Sequence, residues 1–254
     1  MEKDNSGLGV SPPPRSALKG VSVAFVGPDG AGKTTVVEGI MSEWADSARF
    51  VFMGAGIDQA NYSLPTSRWL TRRKRKRLAN LLEDPDVLPP ARLLSEDQQS
   101  KISGGSLVKF AGLVNRIAEE WYRASVVGLL KMRGYVVLCD RHFIFEHRLD
   151  SSDPNQLLSV RIHNWLLRKF YPRPDIVIFL DADAEFLQKR KMEWPVEHLE
   201  YQRQTIIGQR PLVGHFVTVD TTQPLPTVLE TVATAIVDYS ADRDGRKQVD
   251  ARGA

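Results

Sequence analysis

Along most of the chain, short apolar runs alternate with stretches in which apolar residues return every three or four positions. Val21-Ser22-Val23-Ala24-Phe25-Val26, Arg49-Phe50-Val51-Phe52-Met53 and Tyr135-Val136-Val137-Leu138-Cys139 each read as a strand, as do the runs Asp175 to Asp181 and Phe216 to Asp220. Such runs, rich in β-branched and aromatic residues and bounded by breakers, fit a buried sheet. Helical spacing predicts α-helices over 36–44, with Ile40 and Trp44 on one face, and over 107–132, where Gly134 ends the pattern. Further helices are expected over 157–170, stopped by Pro172-Arg173-Pro174, and over 184–192, 196–206 and 225–239. Strands that alternate with helices imply an α/β domain with a mostly parallel sheet covered on both faces.

The pattern breaks between Leu64 and Ser106, where Arg68 and the run Arg72-Arg73-Lys74-Arg75-Lys76-Arg77 meet no acid until Glu83. This basic 64–106 stretch reads as an insertion or lid-like segment, since long unpatterned connections in compact domains are functional or disordered. Its charge suits acidic lipid, nucleic acid or a phosphorylated substrate, or simply a solvated face. Only Trp69 and Tyr62 lie near it, so a stacking platform is poorly supported and nucleic acid is not the expected partner. Residues 1–19 read as a disordered leader and 241–254 as a flexible tail around a domain over 20–240.

Composition narrows the picture further. With 34 basic and 31 acidic residues, the net charge of +3 gives a weak overall field. Cys139 is the only cysteine, which excludes an internal disulfide. No apolar run suits a membrane span or a signal-peptide core, and the expected location is the cytoplasm.

The chemistry centres on Gly27-Pro28-Asp29-Gly30-Ala31-Gly32-Lys33-Thr34-Thr35, which follows the first strand and opens a helix. That context makes the G-x-x-x-x-G-K-[ST] pattern a phosphate-binding loop. Its glycines permit positive φ and close approach, so that backbone N–H groups converge on an anion. Lys33 then supplies charge toward the β- and γ-phosphates, and the Thr34 hydroxyl is a Mg²⁺ ligand. The ligand read from this loop is a nucleotide, held by its phosphates with Mg²⁺.

The third strand ends in Asp140-Arg141-His142. An apolar strand that ends in aspartate supplies the carboxylate for Mg²⁺ or its water shell, and Arg141 can grip a phosphate through two bonds. His142 reads as a wall residue. Asp58, in the glycine-bearing loop after the second strand, is either an acceptor-site residue or a turn aspartate capping local backbone.

Taken in order, these residues resemble the thymidylate kinase family of P-loop phosphotransferases, in a divergent branch. The loop 27–35, the Asp140-Arg141-His142 motif, Pro174-Asp175 through Asp181 to Arg190, and Val219-Asp220 with Gln223-Pro224-Leu225 carry the likeness. It implies a three-layer P-loop NTPase fold in which Lys33 and Thr34 hold Mg·ATP. It also implies that Asp140 lies near the metal, that Arg141 grips the acceptor phosphate and that Asp29 meets its sugar hydroxyl. The transition-state cation would be Arg190 from the lid, with Lys189 or Lys191 behind it. Met53-Gly54-Ala55-Gly56-Ile57 stands where the family has Arg-Glu-Pro-Gly-Gly, and Glu119 stands where it has a helix arginine, Arg116 being a turn away.

The activity this implies is transfer of the γ-phosphoryl of ATP to a nucleoside monophosphate, dTMP by family default. A kinase of a nucleoside or sugar hydroxyl and a non-catalytic ATP-binding regulator are the alternatives. The expected partner is a small phosphate acceptor, with a homodimer also admitted.

Overall fold

The computed structural model describes residues 20–54, 56–79, 106–146 and 158–252. The expected leader 1–19, all of the 80–105 part of the basic segment and the end of the tail lie outside them. The chain divides into two compact units, one holding residues 20–54, 126–146 and 172–252 and the other 56–79, 106–125 and 158–171.

The first unit is built on a five-stranded, all-parallel sheet in the order β2-β3-β1-β4-β5. Its strands are β1 (Val21–Val26), β2 (Ala48–Phe52), β3 (Val136–Asp140), β4 (Ile176–Asp181) and β5 (Phe216–Asp220). All six residues of β1 and all five of β3 are buried, as strands covered on both faces must be. On one face Val23, Phe25, Leu138, Ile178 and Leu180 pack with Val36 and Ile40 of α1 (Lys33–Glu43) and with Trp44 just after it. The same cluster takes in Val228, Val232 and Ile236 of the long C-terminal helix Leu225–Arg252. On the other face Phe179 meets Phe216, with ring centroids 5.6 Å apart, and Phe216 meets Phe145 at 6.4 Å.

The N-terminal end of the sheet is tied by charge. Asp175 accepts bonds from the Ser22 N–H and Oγ at 2.7 Å each, and pairs with Lys131 at 2.5 Å and Arg243 at 3.6 Å. Burial would raise the Asp175 pKa, but Lys131 and the Ser22 bonds outweigh it and hold the carboxyl below its ordinary value. This anchor leaves the opposite, carboxyl end of the strands for the site.

The second unit contains α2 (Pro65–Ala79), the first twenty residues of α3 (Ser106–Met132) and the helix Leu158–Phe170. A buried polar cluster joins them. Glu119 accepts from the Leu64 N–H at 2.8 Å and from Arg123 at 2.9 Å, and Glu120 meets His163 Nε2 at 2.7 Å. Glu119, which stands where the family arginine is expected, is thus committed to holding the entry of α2.

Two boundaries differ from the sequence expectation. α2 forms where the apolar pattern fails, because arginine and lysine are good helix formers even without an apolar stripe. The last helix runs to Arg252 rather than stopping at Tyr239.

Candidate functional site

The glycine loop leaves β1 and bends back over its carboxyl end. Gly30 and Gly32 adopt φ of 88° and 85°, values that an L side chain rarely takes. Gly27 is required for a different reason: a Cβ there would lie 2.5 Å from the Leu180 carbonyl oxygen of β4. Gly32 precedes α1, and no side chain caps that helix, so its N-terminal backbone is the natural seat for an anion. Ala31 is buried and its N–H donates to Pro28 O at 3.2 Å, while Thr35 is exposed on the first turn of α1.

Lys33 is buried, and its ammonium donates to Gly27 O at 2.9 Å and Pro28 O at 2.8 Å, cross-bracing the loop. One residue on, Thr34 Oγ1 donates to Asp140 Oδ2 at 3.1 Å. Asp140 is 5% exposed, and its other oxygen, Oδ1, has no hydrogen-bond partner among the described residues. A buried carboxylate oxygen without a partner is costly unless something cationic or protic meets it. Together with a hydroxyl, it offers the sparse, hard oxygen set that Mg²⁺ takes when phosphates and waters complete its shell. Among the described residues no three His, Cys, Asp or Glu side chains gather as a metal cage.

Arg141 is the only non-glycine described residue with positive φ, 66°. Its N–H is held by Phe25 O at 3.1 Å, so pairing with β1 sustains the strained turn. The turn brings Arg141 Nη2 within 3.4 Å of Asp29 Oδ1. His142 is 3% exposed and burial lowers its pKa to about 4, so it is a neutral wall residue at physiological pH. Cys139 is fully enclosed, and burial raises its pKa to about 12, which makes it an inert thiol.

Two further helices, α6 (Ala184–Arg190) and α7 (Val196–Gly208), complete the rim; α4 is the turn Phe143–Glu146 and α5 the helix Leu158–Phe170. The Arg190 guanidinium lies over the loop, since a Cβ on Gly32 would sit 3.6 Å from Arg190 Nη1. Arg190 is exposed and makes no ion pair among the described residues. Lys191 pairs with Glu193 at 3.0 Å, and Lys189 is exposed near the end of α6.

α7 supplies residues that the sequence pattern did not single out. The Asp29 N–H donates to Gln202 Oε1 at 3.0 Å, and Gln202 Nε2 donates back to Asp29 Oδ2 at 3.1 Å. Gln202 Nε2 also lies 3.1 Å from His198 Nε2, and the His198 ring stacks on Trp194 at 4.4 Å. One position on, Arg203 grips Asp181 at the end of β4 through two bonds of 2.6 and 3.0 Å, which raise its pKa further above the ordinary arginine value. Burial would raise the Asp29 pKa, but the Gln202 bond and the charges of Lys33, Arg141 and Lys191 outweigh it and leave Asp29 more acidic than an ordinary carboxyl.

Lys33, Thr34, Asp140, Asp29, Arg141 and Arg190 are therefore assembled around one loop within the first unit. Asp58 belongs to the second unit, where it pairs with Arg75. The arrangement can hold a polyphosphate by backbone donors, a divalent cation between Thr34 and Asp140, and further anionic oxygens by Arg141 and Arg190.

No helix among the described residues is long and apolar enough to cross a membrane. No protein-family model and no curated protein matches the chain. Among solved structures it is similar to thymidylate kinase from Candida albicans, with a TM-score of 0.53 and 18% identity over 86% of this chain and 92% of that one. The likeness is one of architecture: the chain has the α/β fold of the P-loop NTPases.

Proposed function

We propose that this chain is an ATP-dependent nucleotide kinase that transfers the γ-phosphoryl of ATP to a nucleoside monophosphate, with dTMP as the first acceptor to try. The observation that carries the reading is the bond from Thr34 to Asp140 beside the glycine loop, with Asp140 Oδ1 buried and unmatched. The thymidylate kinase-like architecture supports it.

In this reading an acceptor phosphate oxygen bonds to the γ-phosphorus while the bond to the β,γ-bridging oxygen breaks and ADP leaves. The acceptor is already anionic at neutral pH, so no general base is needed and catalysis rests on positioning and charge neutralisation. The amides of residues 27–35 hold the phosphates, and Lys33 exchanges its two carbonyl partners for phosphate oxygens. Thr34 and Asp140 hold Mg²⁺, which supplies charge neutralisation on the transferring group. Arg141, aimed by its αL backbone, binds the acceptor phosphate. Asp29 orients the acceptor sugar, and Arg190 meets the charge that develops in transit.

The test is ADP formation from Mg·ATP with dTMP, other nucleoside monophosphates, thymidine and simple sugars. Turnover of a monophosphate supports the reading. Turnover of thymidine or a sugar without any monophosphate would replace it with a hydroxyl kinase, and tight ATP binding with no acceptor turnover would favour a regulatory binder.

A further inference from the structure

Helix α2, in the second unit, presents a cationic face. Arg68, Arg72, Arg73, Lys74, Arg75 and Lys76 are all exposed, and α2 contains no acidic residue. Asp58 pairs with Arg75 at 2.5 Å and Arg68 Nε donates to Ser63 Oγ at 2.6 Å, but no acidic partner meets Arg72, Lys74 or Lys76 among the described residues. At 3.6 residues per turn, Arg68, Arg72, Arg75 and Lys76 fall on one stripe. Trp69 borders that stripe, 56% exposed, with the Arg73 guanidinium 5.1 Å from its ring centroid. The inward face is elsewhere: Ser67 is buried and takes a 2.8 Å bond from Asn115 of α3.

Successive cations on the stripe rise by about 6 Å per turn, which suits a chain of phosphates more than a single one. Arginine's planar fork matches phosphate oxygens, and an exposed indole offers a base a surface for stacking. We propose that this face of α2 binds a single-stranded nucleic acid, with phosphates along Arg68, Arg72 and Lys76 and a base on Trp69. The exposure of Trp69 is what revises the expectation from sequence, where the aromatic content near the block looked too thin.

A lipid surface fits less well. The described side chains of α2 include one large exposed apolar group, whereas an interfacial helix buries an apolar face. Of the large exposed apolar residues of α3 in this unit, only the amphipathic Tyr122 lies on the side of Asn115, and the rest do not add to it. Phe110, Val114 and Trp121 lie well round that helix from Asn115 and Glu119, which meet α2 and its entry, so one flat surface cannot reach both sets. The inference does not depend on the kinase reading.

The experiment is fluorescence anisotropy of a labelled 20-nucleotide uridine strand titrated with the full chain, repeated from 50 to 200 mM salt. With three phosphates neutralised, affinity should fall roughly 20-fold across that range, because single-strand binding releases about 0.7 counterion per contact. Arg72→Glu with Lys76→Glu should weaken binding at least tenfold and flatten the salt slope. Trp69→Ala should weaken it about tenfold and leave the slope unchanged. Circular dichroism melting confirms that each variant is folded, and Arg72→Ala with Lys76→Ala serves if the charge reversals are not. No binding at 50 mM salt, an unchanged affinity in Trp69→Ala, equal affinity for a duplex, or tighter association with phosphatidylserine vesicles would each overturn the proposal.

Discussion

Replacing Gln202 by methionine keeps the length and helix propensity of the side chain and removes both of its bonds to Asp29. One of these satisfies a backbone N–H at 3.0 Å and the other a carboxylate at 3.1 Å. A bond to a neutral group is worth about 1 kcal/mol and one to a charged group about 1.5–3 kcal/mol. Both residues are half-buried, so water replaces part of what is lost, and a net cost of about 2 kcal/mol follows. For a chain of this size that is about 4–8 °C in Tm.

The pH dependence is the sharper signature. Asp29 has a lowered folded-state pKa, so its contribution to stability is present above its unfolded value and is lost as pH falls through the folded value. Without Gln202 the folded pKa moves up toward the ordinary carboxyl, and that contribution shrinks. Melting curves from pH 7.5 to 3 should show a gap between wild type and Gln202→Met that is widest above about pH 5 and narrows as Asp29 protonates. A gap of the same size at every pH, or none at all, would refute the idea that α7 holds the loop through this carboxylate.

The remaining predictions probe other parts of the site. His142, with a folded pKa of about 4, takes its proton in the unfolded chain near 6.5, so stability should drop by about 3 kcal/mol as pH falls between those values. His142→Asn, which keeps an acceptor for the Ile144 N–H, should flatten the urea-denaturation profile across that window. Gly27→Ala forces a Cβ to 2.5 Å from the Leu180 carbonyl and should cost about 3 kcal/mol, measured by the shift in urea midpoint. Arg190→Ala should lower kcat by about 10³ or more with little change in the KM for ATP, because a cation acting on the transferring group is felt mainly in the transition state.

Much of the fold was legible because a sheet buried on both faces leaves a local mark. All six residues of β1 and the apolar runs of β3 and β4 had to be buried whatever their partners, and their observed bounds fall within a residue of the pattern. The loop 27–35 was legible for a related reason: its chemistry is carried by backbone geometry that only glycine-rich sequence permits. α7 was harder. The partner of Gln202 is 173 positions away and that of Arg203 is 22 away, so no local period connects them. The nearest signal was the amide and the arginine adjacent on a helix just after the basic cluster 189–191. α2 escaped because its sequence has no apolar stripe to read, and its helix rests on propensity and on the buried Ser67 and Glu119 contacts instead.

Calorimetric titration of the full chain with a non-hydrolysable ATP analogue, with and without Mg²⁺, tests the central claim most directly. The account predicts one site with an exothermic heat, at least tenfold weaker without Mg²⁺ or in Asp140→Asn and abolished in Lys33→Ala. Absence of binding to the wild-type chain, or binding indifferent to both Mg²⁺ and Asp140→Asn, would contradict it.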